Sequence, residues 1–302
     1  MPHIFYISTA MLDLFLVQLE SILGKDPDCK AKNFEKVREL LRDIDFSSVK
    51  NGVILLPEMF ATGYLPKDCA PFAEDFSKGL SSAEKESQKK NETVEFLQQL
   101  ADETRCTVLG AGIHKVAEGF TNHSGIFTPD GRGQVAGYDK CHPFFPELSR
   151  KFIAGGSINL FKTCNWKIAS VICYDLRFPE LFRDAVKKGA NLITVQAAWP
   201  LVRREHWETL LKARAIENQV YIAAVNGVSP SEADSSKKLA GTSMIIDPLG
   251  NIISAGDSNS EAVVRGSITL EPLQKYRQDF PVLQGIVDQQ ILADSMSSQD
   301  AT

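Results

Sequence analysis

The chain carries only five histidines in 302 residues, scattered and forming no His/Cys cluster. A zinc site gathers three or four nitrogen and thiolate ligands at close spacing, so no metal is expected. No Gly-rich loop follows an apolar run, which leaves no backbone cradle for phosphates and no expectation of a nucleotide or other cofactor. The six cysteines, Cys29, Cys69, Cys106, Cys141, Cys164 and Cys173, include no Cys-x-x-Cys pair. A chain of this length needs no disulfide staples, and free thiols in a reducing, cytoplasmic setting are expected. Basic runs stop at pairs such as Lys187-Lys188 and Arg203-Arg204, and the net charge is −5. That balance argues against a general nucleic-acid or anionic-membrane surface.

A clean apolar run long enough to span a bilayer is also missing. Met1 to Leu23 is fairly apolar, but Asp13 and Glu20 interrupt it and no Lys or Arg precedes Lys25. It therefore fits neither a membrane span nor a signal peptide. With no linker rich in Pro, Gly or Ser, one domain is expected over residues 12–285. Residues 1–11 read as an N-terminal extension and 286–302 as a C-terminal tail, whose Ser-rich end, 294–302, is expected to be disordered.

What is present is an α/β pattern. A hydrophobic share of 43% beside 24% charged residues is enough to bury a sizeable core. Apolar runs over 14–18, 53–56, 106–112, 167–172, 192–196 and 221–226 predict strands. Helical spacing over 29–42, 93–104, 180–188 and 206–218 predicts helices between them, the third capped by Gly189. Turn signals at 129–133, 163–165 and 247–251 predict hairpins. Mixed parallel and hairpin pairing leaves two sheet faces to cover. The polar stretches 77–91 and 228–238 read as loops, the first lying where a lid could lie.

Three apolar runs break into polar turns that carry reactive groups. Val53-Ile54-Leu55-Leu56 runs into Pro57-Glu58-Met59-Phe60, and the run ending at Tyr138 meets Asp139-Lys140-Cys141-His142. Ile168-Ala169-Ser170-Val171-Ile172 stops at Cys173. A carboxylate, an amine and a thiol at strand ends are the parts of a covalent hydrolase: a general base, an electrophilic stabiliser and a nucleophile.

Taken in order, the segments Pro57-Glu58-Met59-Phe60-Ala61-Thr62-Gly63-Tyr64, Tyr138-Asp139-Lys140-Cys141-His142 and Cys173-Tyr174-Asp175-Leu176-Arg177-Phe178-Pro179-Glu180 resemble the three signature segments of the nitrilase (carbon–nitrogen hydrolase) superfamily. His206-Trp207 and Ala213-Arg214-Ala215-Ile216-Glu217-Asn218-Gln219 are similar to a later helix of that family. The resemblance implies a carbon–nitrogen hydrolase domain folded as a four-layer α-β-β-α sandwich with internal two-fold character, in subunits that pair into a homodimer or higher homo-oligomer. It implies that Cys173 attacks a small-molecule amide, that Glu58 moves the proton, and that Lys140 and the backbone N–H of Tyr174 hold the oxyanion. Glu147 falls where many members carry a second, supporting carboxylate. Asp175 and Arg177 are expected to hold the turn after the nucleophile through hydrogen bonds and a charge pair, and Cys141 is expected to be incidental.

Tyr174-Asp175 after the nucleophile, where true nitrilases tend to carry Trp-Glu, points from nitriles towards amides. Trp199-Pro200, His206-Trp207 and Tyr276-Arg277-Gln278-Asp279-Phe280-Pro281 resemble the branch acting on ω-amides of 2-oxo acids, such as 2-oxoglutaramate. Amidases of deaminated glutathione share several of these words, and N-carbamoyl amino acids or nitriles stay open as substrates. So does an idle member serving as an interaction scaffold, although the intact Glu58, Lys140 and Cys173 set argues against it. A 2-oxo acid ω-amide carries a remote carboxylate, for which a planar guanidinium is the suited partner. Arg203 or Arg204 is the candidate clamp, with Tyr64, Phe144 and Trp199 as walls.

Overall fold

The computed structural model describes residues 11–77, 91–131, 133–230, 233–234 and 237–286. Most of the expected N-terminal extension, the core of the possible lid and nearly all of the C-terminal tail lie outside the described residues.

One pattern is used twice. In the first half, β1 (Leu12–Gln18), α1 (Cys29–Leu41), β2 (Gly52–Leu55), α2 (Glu92–Thr104) and β3 (Thr107–Val116) give three parallel strands joined by helices. β4 (Gly119–Phe127) and β5 (Ala136–Asp139) then fold back antiparallel. The short α3 (Phe145–Leu148) and β6 (Leu160–Thr163) lead into the second half. There β7 (Trp166–Ile172), α4 (Pro179–Lys187), β8 (Leu192–Ala197), α5 (Arg204–Asn218) and β9 (Tyr221–Asn226) repeat the parallel unit. β10 (Met244–Ile246) and β11 (Ile252–Ala255) repeat the antiparallel return. β12 (Ala262–Ile268), followed by α6 (Leu270–Asp279), pairs antiparallel outside β1, as β6 does outside β7. The result is two six-stranded sheets, β12-β1-β2-β3-β4-β5 and β11-β10-β9-β8-β7-β6.

Strand alternation dictates how these sheets stack, because successive side chains point to opposite faces. Leu12, Leu14 and Leu16 of β1, with Val53, Leu55 and Leu109, meet Trp166, Ile168, Leu192, Tyr221 and Val225 of the other sheet. Their neighbours Phe15, Val17, Ile54 and Leu56 face outward and are covered by Val37 and Leu41 of α1 and Val94, Leu97 and Leu100 of α2. On the far side Ala169, Val171, Ile193 and Val195 lie under Phe182 and Ala185 of α4 and Trp207, Leu211 and Ala215 of α5. The layers are therefore α-β-β-α, and the internal two-fold character is visible in the strand orders. Gly189, at φ 97, closes α4 by donating its N–H to Val186 O at 2.8 Å.

The sequence reading omitted β12 and α6. β12 reads Ala-Val-Val-Arg-Gly-Ser-Ile and keeps only two buried residues, so its alternation is too faint to stand out. As a strand next to the buried β1 it still completes the sheet. Two substitutions test the layer assignment by chemical denaturation. Leu14→Ala, in the fully buried inter-sheet core, should cost about 2–5 kcal/mol. Ile252→Ala, on the exposed side of β11, should stay within about 0.5 kcal/mol.

Candidate active site

The ends of β2, β5, β7 and β8 converge. Cys173 directly follows β7 and opens a short 3-10 turn, Cys173–Arg177, that leads into α4. Its φ is 46, in the left-handed region that β-carbon-bearing residues rarely adopt. This sharp turn aims the thiol out of the strand direction. Met59, next to Glu58, is also left-handed at φ 51, so both reactive turns carry backbone strain. Asp175, fully buried, holds the elbow shut. It accepts hydrogen bonds from the Ile172 N–H at 3.1 Å, the Tyr138 hydroxyl at 2.7 Å and the His142 N–H at 2.9 Å. The latter two residues bracket Lys140, so one carboxylate fastens the Lys-bearing loop to the thiol-bearing turn.

Glu58 is 2% exposed and Lys140 and Glu147 are 0% exposed. The Lys140 ammonium lies 2.8 Å from Glu58 Oε1 and 2.9 Å from Glu147 Oε2. Asn122 Nδ2 donates to both carboxylates, at 2.7 Å to Glu58 Oε1 and 2.6 Å to Glu147 Oε1. Glu58 Oε2 accepts the Ala198 N–H, from just beyond β8, at 3.0 Å. Glu58 and the same Ala198 N–H lie close enough to the Cys173 thiol to act on its charge.

Burial acts on all three reactive groups. It drives the Glu58 carboxyl upward; Lys140 pulls it down, Glu147 pushes it further up, and the net shift is upward. For Lys140, burial opposes the charge, but Glu58 and Glu147 outweigh it and hold the ammonium well above its ordinary range. The Cys173 thiol is pushed well up, first by burial and then by the Glu58 charge. A protonated thiol and an ammonium therefore flank the Glu58 carboxyl.

Glu58 and Cys173 open onto a cleft of about 1000 Å³, whereas Lys140 and Glu147, fully buried, are not among its lining residues. Glu58, Cys173 and Tyr174 line it, as do Tyr64, Phe144 and Trp199, the three expected walls. Of the two candidate arginines, Arg203 lines the cleft and Arg204 does not. Arg204 is the first residue of α5 and spans one helical turn to Glu208, with Nε 2.6 Å from the carboxylate, so its geometry answers to the helix surface. Arg177 corrects a second expectation. It makes no charge pair with Asp175; its guanidinium stacks 4.7 Å from the Trp199 ring centroid, faces the Tyr174 ring at 5.9 Å, and lines the cleft. No carboxylate pairs with it among the described residues. Its place four residues after Cys173, in the turn that leads into α4, was the sequence signal for it. Asn122 escaped the sequence reading altogether, because a polar residue in a strand carries no mark of what it faces. Cys141 is half-buried with its N–H on the Tyr138 hydroxyl at 3.2 Å, away from the cleft lining.

Two mixed sheets stacked between helices, opening at one strand end onto a strained thiol beside a buried Glu and Lys, define a class, the nitrilase-type α-β-β-α hydrolases. Residues 16–278 match the carbon-nitrogen hydrolase family, and the chain belongs to it. It is a hydrolase of carbon–nitrogen bonds, of the amidase kind. It is 31% identical over 271 residues to an omega-amidase of Yersinia enterocolitica, covering 89% of this chain and 94% of that one. It is 32% identical over 259 residues to a 2-oxoglutaramate amidase of Bacillus subtilis, covering 84% and 92%. Among solved structures, a CN-hydrolase superfamily protein of Xanthomonas campestris, with an arsenic adduct in its active site, superposes with a TM-score of 0.77 at 28% identity, covering 92% and 98%. No described helix is long and apolar enough to cross a membrane.

Removing the ammonium should expose how the site is held together. In Lys140→Met two buried carboxylates lose their counter-charge, which should cost about 3–5 kcal/mol at pH 7. Buried without a cation, the Glu58 carboxyl titrates above its unfolded value. The penalty is then absent below the unfolded carboxyl range and grows as pH rises through the folded values. Denaturation of the variant and the parent between pH 5 and 8 should show the gap narrowing towards the acid end.

Proposed function

We propose that the protein is an ω-amidase that releases ammonia from a small amide bearing a remote carboxylate, with 2-oxoglutaramate as the representative substrate. Glu58, Lys140 and Cys173 form the reacting set, and a thioester joins the two half-reactions. Cys173 Sγ attacks the amide carbonyl while its proton passes to Glu58. Charge gathers on the carbonyl oxygen and is met by the Lys140 ammonium and the Tyr174 backbone N–H. Glu58 then gives its proton to the nitrogen, the C–N bond breaks, and ammonia leaves. Water, deprotonated by Glu58, attacks the thioester. The C–S bond breaks, the sulfur recovers its proton, and the carboxylic acid departs. Glu147 keeps Lys140 charged and aimed throughout.

The observation that supports this reading is the buried Glu58–Lys140 ion pair at 2.8 Å, with Glu58 and Cys173 lining the same cleft. The choice of substrate rests on the relatives' activities and on two cleft cations, Arg177 and Arg203. Arg177 is the stronger candidate for the substrate carboxylate, since Trp199 fixes its plane and no acidic side chain among the described residues competes for it. Tyr64 and Phe144 enclose the short methylene chain. The phenol of Tyr64, raised by burial and then by the Glu58 charge, stays protonated and is a hydrogen-bond donor.

Ammonia release across a panel of ω-amides, simple amides, nitriles and N-carbamoyl amino acids tests the activity. Cys173→Ala should keep its fold and lose all turnover. With 2-oxoglutaramate, Arg177→Met should raise KM about tenfold to a hundredfold, the worth of a charge-assisted hydrogen bond, with far less effect on an uncharged short amide. Arg204→Met should match the parent. Equal losses on both amides would remove the carboxylate clamp, and an active Cys173→Ala protein would end the covalent mechanism.

A further inference from the structure

We propose that Asn122 is a positioning residue that lets one ammonium serve two ionised carboxylates, by giving one N–H to Glu58 and the other to Glu147. The inference rests on Glu58 acting as the base. Its starting point is arithmetic: with both carboxylates ionised, Glu58, Lys140 and Glu147 sum to one negative charge carried by three buried side chains. Something neutral must supply hydrogen bonds to the surplus charge, or one carboxyl will take up a proton.

Asn122 is placed for that task alone. It is 1% exposed and lies on β4 opposite Ile113. Its backbone carbonyl accepts the Lys140 N–H at 2.9 Å, so it holds the lysine's main chain while its amide holds the lysine's two partners. Both hydrogens of Nδ2 are used, at 2.7 and 2.6 Å. The other end of the amide is unusual, for Asn122 Oδ1 is buried and has no hydrogen-bond partner among the described residues. An orphaned buried oxygen is costly. Turning the amide over would be worse, because Oδ1 would then face two carboxylate oxygens. The orientation is therefore imposed by the acids, and the strained end is accepted in return for two charge-assisted bonds.

A carboxamide suits this position uniquely. It offers two N–H groups from one atom, carries no charge, and matches the length between the two acids. Leucine has its shape without donors. Aspartate has its shape but a third carboxyl, which at best donates one hydrogen bond when protonated. The groups facing Glu58 are Lys140 from beyond β5, Glu147 from α3, the Cys173 thiol from beyond β7, the Ala198 N–H from beyond β8, and Tyr64 from its own loop. Among the described residues, Lys140, Asn122 and the Ala198 N–H donate hydrogen bonds to Glu58, at 2.8, 2.7 and 3.0 Å, and so favour its ionised form. Losing one of these three should push Glu58 towards its acid form, which cannot take the proton from sulfur.

The test uses Asn122→Leu, Asn122→Asp and Glu58→Gln in the full chain. It reads kcat, KM and the pH profile of kcat/KM for ammonia release, the pH dependence of iodoacetamide alkylation at Cys173, and thermal melting. Asn122→Leu should lower kcat about tenfold to a hundredfold with KM changed less than about twofold. The acid limb of both the activity and the alkylation profile should move up by about one pH unit or more. Asn122→Asp, which keeps the shape if the leucine variant does not fold, should move the limb in the same direction. A folded variant with reduced amplitude but an unmoved limb would mean that Asn122 only packs, and would overturn the proposal. The third variant separates the two claims. Glu58→Gln inactive beside an unmoved limb rejects Asn122's role alone, whereas Glu58→Gln retaining turnover rejects the base assignment and Asn122's role with it.

Discussion

A primary ammonium with no solvent exposure is the constraint around which this molecule is arranged. Lys140 is 0% exposed, and removing one such charge from water costs several kcal/mol even after relaxation. Two carboxylates at 2.8 and 2.9 Å offset that cost. They are themselves buried and need hydrogen bonds for their remaining lone pairs. Those come from the Asn122 amide, the Ala198 N–H and the Phe144 N–H. Tracing each donor outward recruits β4, the end of β8 and the start of α3. The ends of β2 and β5 are fixed by Glu58 and Lys140 themselves. A charge that cannot stand alone in the interior thus assigns neighbours to β2, β4, β5, β8 and α3.

The two sheets must hold their relative register for this to work, and apolar packing alone does not specify register closely. Polar ties at the site end do so. Gln196, the penultimate residue of β8 and fully buried, donates across the sheet interface to Leu56 O at 2.8 Å and Leu109 O at 3.3 Å. It thereby locks the strand that leads to Glu58 against the strand beside Cys173. Asp175 does the same between the Lys140 loop and the Cys173 turn. Each tie spans the two halves of the repeat, so the site forms only when both halves are folded and docked.

The strands and helices were legible because their cause is local, whereas the four-layer stacking came only from the resemblance to the nitrilase superfamily. Alternation on β1, with Leu12, Leu14 and Leu16 on one face and Phe15 and Val17 on the other, is written directly in the residue order. The positions of Glu58, Lys140 and Cys173 were legible for a related reason, since each interrupts an apolar run at a strand end where a polar group is out of place. Side chains defined by what they face were not legible. Arg203 and Arg204 are adjacent in sequence, and only the start of α5 decides that one meets the cleft and the other Glu208. Arg177 looked like a partner for Asp175, two residues away. But Asp175 already accepts N–H and O–H groups from Ile172, His142 and Tyr138, and the 3-10 turn carries Arg177 round to the Trp199 ring. Asn122 depends on three residues drawn from 64, 18 and 25 positions away, which no local pattern encodes.

On the proposed mechanism, the direction of the perturbed titrations answers a question the geometry raises. A cysteine nucleophile is usually activated by a lowered pKa, yet burial and the Glu58 charge push Cys173 the other way. A preformed thiolate would put a second negative charge against Glu58 in a site that already carries a surplus one. Keeping the thiol protonated avoids this, and the proton must then move as the S–C bond forms. Burial also raises Glu58, which makes it a more willing acceptor than an ordinary carboxylate and reduces the mismatch with the thiol. As the proton arrives, Glu58 loses its charge and the surplus moves onto the substrate oxygen. The Lys140 ammonium remains charged throughout, so the countercharge is in place before the oxyanion exists. Total charge at the site stays constant from resting state to adduct, and the environment has little to reorganise during the step.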